Sequence, residues 1–319
     1  MLKRALIVCS CFSLMACAGQ NAAVYYDAAA VSAKQPGIET ALRTYDSTVK
    51  KSVHSQHYYG ARGDIFFAYK DYGSAVNEYT KALRNADSAE LHMKRAQAYM
   101  KLGFYPDAAY DFGMAAESGG ELKYRAYAGR AKAYIELGKY AEALKDIDRA
   151  KSGADTSAEL EKAMAEIFFK TADYAKAKEH VQRALASDPD KGELYFLRGR
   201  IFYKTKDANQ ALSDYERAVA MQPENTAAKY ELARVLSTCP VSMYRDGQRA
   251  VRISQELFST DPSADNAMIL AASYAETGDF DKASDILKNA ADKEKDLVKQ
   301  DDMRVYLKAY QEKRTINTW

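Results

Sequence analysis

Disulfide chemistry, net charge and helix-breaking residues are all scarce in this chain. Its 319 residues include 4 cysteines, 6 prolines and 1 tryptophan. Cys9, Cys11 and Cys17 crowd the first seventeen positions, so Cys239 is alone in the body and no disulfide framework can form there. Lys plus Arg number 46 against 44 Asp plus Glu, and a formal charge of +2 supplies no field to gather phosphate backbones. Nucleic acid is therefore not an expected partner. With 16 glycines and a 47% hydrophobic content, collagen-like and disordered readings are excluded too. What remains is a chain with ample apolar residues for a core, built as ordinary domains or as a linear array.

The one sustained apolar run is Ala5 to Ala16, preceded by Lys3 and Arg4. It has the length of a signal-peptide core and is too short to span a bilayer. It ends in Leu14-Met15-Ala16-Cys17, which resembles the bacterial lipobox, with Met15 departing from the usual smaller residue. The resemblance implies that residues 1–16 are a lipoprotein signal peptide and that Cys17 carries the lipid. Removing Lys3 and Arg4 leaves a balanced mature chain, so acyl chains must supply membrane attachment, at about 0.8 kcal/mol per buried methylene. Ala18 stands where Asp would signal inner-membrane retention, so the expected location is the bacterial outer membrane, on its periplasmic face. Residues 17–36 read as a flexible tether.

Beyond it the chain repeats itself. Aligned phrases begin at Phe66 (FFAYKDYGSAVNEYTKAL), Ala98 (AYMKLGFYPDAAYDFGMAA) and Ala133 (AYIELGKYAEALKDIDRA). An alanine recurs at Ala75, Ala108, Ala143, Ala177, Ala211, Ala250 and Ala283, at intervals of 33, 35, 34, 34, 39 and 33. A small residue also recurs earlier in each unit, at Gly63, Ala96, Ala131, Ala165, Gly199, Ala233 and Ala271. An aromatic follows it three residues on, at Phe66, Tyr99, Tyr134, Phe168, Phe202 and Tyr274, and another opens the second half at Tyr72, Tyr105, Tyr140, Tyr174 and Phe280. Small residues let two antiparallel helices approach while the rings fill the adjacent holes.

A period of about 34 residues with two helical stripes resembles the tetratricopeptide repeat. The likeness covers residues 37–297 and implies an all-α fold, a right-handed superhelix of helix-turn-helix repeats, with seven repeats and an N-terminal capping helix. Residues 38–52 read as that cap, and residues 298–319 as a C-terminal capping helix, centred on Met303 to Lys313, with its tail. The sixth repeat is irregular: LARVLSTCP ends its first helix at Pro240, and Asp246-Gly247 can cap the second. Cys239 reads there as a small buried hydrophobe.

No motif for catalysis emerges. His54, His57, His92 and His180 form no metal-ligand set, and no nucleophile elbow, phosphate loop or calcium loop is present. No catalytic residue, metal or cofactor is expected. The resemblance implies instead a groove lined by the first helices, suited to an extended peptide or a partner's helix. The family's clamp for a terminal carboxylate is not matched: the first repeat offers His57, Gly60, Asp64 and Phe67, and the second Glu90, Met93, Gln97 and Met100. In the fifth repeat Phe196, Arg200 and Tyr203 fall on the inward stripe, beside Tyr195, Gly199 and Phe202 on the core stripe. Tyr230 and Arg234 follow in the next repeat, and Lys162 and Phe169 precede in the one before. These seven residues form the candidate groove, where an arginine can stack on a ring or fork onto a carboxylate. The alternative is that the rings pack between repeats and the arginines pair with Glu166 or Glu231. The expected function is a lipid-anchored scaffold or adaptor for envelope proteins or peptides; the alternative is an accessory subunit that binds envelope glycan or peptidoglycan through exposed tyrosines.

Overall fold

The computed structural model describes residues 37–48, 56–153 and 157–319. The leader, Cys17, the tether and His54 lie outside them. Among the described residues there are sixteen α-helices, one short 3-10 turn and no strand. The described residues divide into two compact bodies, one within residues 37–153 and one over residues 157–319.

In the first body α1 (Ile38–Thr48) precedes three hairpins: α2 (Gln56–Ala68) with α3 (Tyr72–Asn85), α4 (Ala89–Leu102) with α5 (Tyr105–Glu117), and α6 (Leu122–Glu136) with α7 (Tyr140–Ala150). The second body holds four more: α8 (Ser157–Lys170) with α9 (Tyr174–Ser187), α10 (Gly192–Lys204) with α11 (Ala208–Met221), α12 (Thr226–Thr238) with α13 (Gly247–Thr260), and α14 (Ala264–Glu276) with α15 (Phe280–Ala291). The last helix is α16 (Leu297–Gln311). Within each body every helix packs on the next. First helices also touch those of the following repeat, α4 with α6, α8 with α10 and α12 with α14.

The hairpins are punctuated by local chemistry. Asp71, Asp173, Asp207, Asp246 and Asp279 each accept a hydrogen bond from the backbone N–H three residues on, capping a second helix. The preceding turn needs one left-handed residue. Gly103, Gly138 and Gly278 serve in three repeats, while Lys70, Ala172 and Lys206 occupy that conformation in three others.

Packing explains why the small position is sometimes glycine. A Cβ at Gly63 would meet the Tyr79 ring at 2.5 Å, and one at Gly199 would meet the Tyr215 ring at 2.8 Å. Where the small position is Ala96, Ala131, Ala165 or Ala271, the residue sixteen places on is Phe112, Ile147, Val181 or Leu287 instead. All of these larger side chains are buried. The two glycines thus make room for the two tyrosines.

The sixth repeat absorbs its extra length between α12 and α13. A 3-10 turn at Ser242–Tyr244 occupies the gap, the Asp246 N–H bonds back to the Leu236 carbonyl at 2.8 Å, and Arg245 bridges the Cys239 carbonyl and Glu276. Cys239 is fully buried as a free thiol.

Candidate interaction surface

The seven candidate residues lie on α8, α10 and α12, all in the second body. Lys162 and Phe169 come from α8. The Lys162 ammonium reaches Glu193 of α10 at 2.5 Å, and Phe169 lies 5.8 Å from the Tyr174 ring. Arg200, on α10, places its guanidinium 4.4 Å from the centre of Phe169 and 5.7 Å from that of Phe196. Phe196 is itself half-buried, packed between two core clusters and 6.1 Å from Tyr215. One cation and two rings are therefore brought together as the inward stripe requires.

Arg200 differs from its peers. Among the described residues, every other half-buried arginine sits on a carboxylate: Arg62 on Asp46, Arg95 on Asp111, Arg130 on Asp146, Arg198 on Asp214, Arg234 on Glu231, Arg245 on Glu276 and Arg249 on Glu216. Arg200 has rings against it but neither a hydrogen bond nor an ion pair among those residues. A guanidinium brings five donors, so a stacked arginine without an acceptor is equipped for a carboxylate from elsewhere.

The second group is more closed. Arg234 donates from Nε to Glu231 at 2.7 Å and lies 4.0 Å from the centre of the Tyr203 ring. Burial opposes its charge, but Glu231 outweighs that and holds the Arg234 pKa above its ordinary value. Tyr203 is buried, not open as its place on the inward stripe suggests. Its hydroxyl donates to the Thr318 carbonyl at 2.8 Å, and the Trp319 ring covers it at 5.8 Å. Tyr230 is half-buried near Asp265 and Glu231; burial, then those charges, push its phenol pKa upward. Between the two groups lies Tyr215, whose buried hydroxyl finds no partner among the described residues although Glu231, Arg234, Arg200 and Tyr203 all stand near it. In the first repeat the equivalent Tyr79 donates to Asp64 at 2.9 Å, and Arg200 occupies the position that Asp64 holds there.

The Arg and Asp pairs are a recurrent feature that the repeat alignment passed over. Arg95, Arg130 and Arg198 each fork onto an aspartate sixteen residues on, at 2.6–2.8 Å, and Asp111, Asp146 and Asp214 are buried. Hydrogen bonding to Asp214 raises the Arg198 pKa against an opposing burial effect. Asp111 also accepts from His92 at 2.8 Å. In the fourth repeat the two positions hold Met164 and His180, and His180 bonds to Glu161 at 2.6 Å instead. The signal was present: an Arg directly before the small position, and an Asp three residues after the second-helix alanine. Among the described residues no cluster of three or more His, Cys, Asp or Glu side chains is placed to hold a metal ion, and no helix is long and apolar enough to cross a membrane.

These observations define the class: an all-α solenoid built from tetratricopeptide-like hairpins. The family model described as tetratricopeptide repeat matches residues 93–158 and 162–212, so the chain carries such repeats. Among solved structures it resembles the yeast Tom70, at 17% identity and a TM-score of 0.58, over 86% of this chain and 58% of that one. It also resembles the APC/C heterotetramer Cut9–Hcn1, at 14% identity and a TM-score of 0.61, over 74% of this chain and 46% of that one. A tetratricopeptide repeat protein from Parabacteroides merdae aligns at 16% identity and a TM-score of 0.53, over 90% of this chain and 95% of that one. The chain thus spans about half the length of the first two. No curated protein matches it in sequence.

Proposed function

We propose that this protein is a lipid-anchored scaffold of the bacterial envelope, held at the outer membrane through Cys17 and facing the periplasm. The first-helix face of α8, α10 and α12 receives an extended, acidic segment of a partner protein. The observation that carries this reading is Arg200, stacked on Phe169 at 4.4 Å and, among the described residues, lacking the carboxylate that every other half-buried arginine has there. A partner carboxylate there gains a charge-assisted forked bond without breaking an existing ion pair. The repeat architecture supports protein binding, since stacked first helices present a continuous surface to a ligand. Anchoring rests on Leu14 to Cys17.

Two measurements test the parts separately. Arg200→Glu is expected to keep parental helicity and melting while losing most of the protein captured from detergent-solubilised envelopes, because reversing a charge in a binding surface repels the matching partner. Undiminished capture refutes the surface. Cys17→Ser is expected to abolish incorporation of a labelled fatty acid, and label equal to the parent's refutes the anchor.

A further inference from the structure

The face of α10 and α12 already has an occupant. Downstream of α16 the chain turns at Lys313, in the left-handed conformation, and the segment 314–319 runs back to these helices. Ile316 packs against the cluster formed with α14 to α16. At Thr318 the backbone is held on both sides. Its N–H donates to the Thr238 carbonyl at 2.8 Å, and its carbonyl accepts from the Tyr203 hydroxyl at 2.8 Å. Trp319 then lies 5.8 Å from the Tyr203 ring, which Arg234 also contacts.

Each half of this grip has a local origin. Thr238 is the last residue of α12, so its carbonyl has no acceptor duty inside the helix and is free to pair with an extended chain. Tyr203 is one turn beyond Arg200 on α10, and its hydroxyl is the donor that completes the pair. Gripping one residue by N–H and C=O, with a ring following, is how extended peptides are recognised with little demand on sequence.

We infer that the Tyr203, Arg234 and Thr238 face is a site for an extended peptide bearing an aromatic residue directly after the gripped one, and that residues 316–319 are its built-in competitor. The inference rests on the reading that this face binds protein. The segment reproduces backbone and ring contacts but offers Arg200 no acidic side chain, since Lys313 to Trp319 includes neither Asp nor Glu. It is also lightly held. Thr318 is exposed and Trp319 remains 37% exposed, so it occupies the face chiefly through its tethered effective concentration, of millimolar order for a short link. A partner that adds an acidic side chain displaces it.

Trp319 is the sole tryptophan, and its fluorescence reports the docking without a label. In the full chain, acrylamide quenching of Trp319 is expected to be at least twofold weaker than in the free peptide EKRTINTW, and Tyr203→Ala should raise it to the peptide value. A variant combining Thr318→Pro, which removes the gripped N–H, with Trp319→Ala should keep its helices by circular dichroism. Fluorescein-labelled EKRTINTW should bind that variant at least tenfold more tightly than it binds the parent. Quenching in the parent equal to the free peptide, equal affinity for both proteins, or no binding to the released variant each overturns the inference. The capture experiment with Arg200→Glu reads a different residue and a different ligand. If the labelled peptide fails while Arg200-dependent capture persists, the competitor is refuted and the binding surface stands. If the peptide binds the released variant as expected while capture ignores Arg200, the acidic-partner reading falls and the peptide site stands.

Discussion

Replacing Asp214 removes an anion whose cation cannot leave. Its side chain is 5% exposed and receives two bonds from Arg198, each at 2.7 Å. Truncating one partner of a fully buried pair costs about 3–5 kcal/mol, mostly for the stranded charge. Arg198 keeps 23% exposure and lies against Tyr195 and Phe202, so part of its hydration returns. That lowers the expected loss for Asp214→Ala to about 2–3 kcal/mol. The paired variant Arg198→Met with Asp214→Leu should lie within about 1 kcal/mol of the parent, because an apolar pair of similar volume replaces a buried ion pair at little cost. The chain itself uses this exchange: Leu232 and Ile253, then Leu270 and Ile286, hold the corresponding positions in the sixth and seventh repeats. Urea unfolding followed by circular dichroism measures all three proteins. A slope of about 1–3 kcal/mol per molar urea converts the predicted loss to a midpoint shift of about 1 M. Asp301→Ala is the control, since it breaks a pair exposed by 62% and 73% and should cost less than about 1 kcal/mol. If Asp214→Ala unfolds with Asp301→Ala, or if the paired variant falls as far as the single one, the reasoning about the stranded cation is wrong.

Other expectations are simpler to state. Burial opposes the charge on His92, but bonds to Asp111 and Asp87 outweigh it and the nearby Arg95, and its pKa is raised from 6.5. The proton is therefore held more tightly in the folded state; this contribution is full below about pH 6.5 and is lost as pH rises through the folded pKa. His92→Gln should consequently cost more stability at about pH 5.5 than at about pH 8.5, compared by urea midpoints. Ala177 is fully buried and Lys178 exposed, so Ala177→Leu should cost about 1–3 kcal/mol by overpacking while Lys178→Ala stays within about 0.5, compared by thermal melting. Lys206 has φ of 64° where other repeats use glycine, and Lys206→Gly should stabilise by about 0.5–1 kcal/mol in the same assay, with Lys206→Ala giving no gain.

The repeat was legible because its signals are local and periodic. Tyr72, Tyr105, Tyr140, Tyr174 and Phe280 are each the first residue of a second helix, and the alanines spaced by about 34 residues are buried in every repeat. Asp246 caps α13 as its sequence suggests. The α16 helix starts at Leu297, one residue ahead of the expected bound at 298, because Asp296 caps it by accepting from Val298 and Lys299. At the candidate surface, helical spacing sets Phe196 one turn from Arg200 on α10, whereas the stacking of Arg200 on Phe169 joins two helices and has no local signal. The fate of Arg234 was not legible either, because Glu231 and an open carboxylate ligand are equally available to it on paper. The grip on Thr318 was beyond reach: it joins residues 115 apart, outside any period, through a backbone carbonyl with no side-chain signature.

The sixteen-residue fork between an arginine and an aspartate also governs how such a chain can lengthen or shorten over generations. A crossover that splices the first helix of the second repeat to the second helix of the third joins Arg95 to Asp146 in the same relative positions, and the fork is rebuilt intact. The same crossover into the fourth repeat sets Arg130 or Arg95 opposite His180, replacing an anion by a second base. By this measure repeats two and three are exchangeable halves, while the fifth is set apart by Gly199, which makes room for Tyr215, and the fourth by His180.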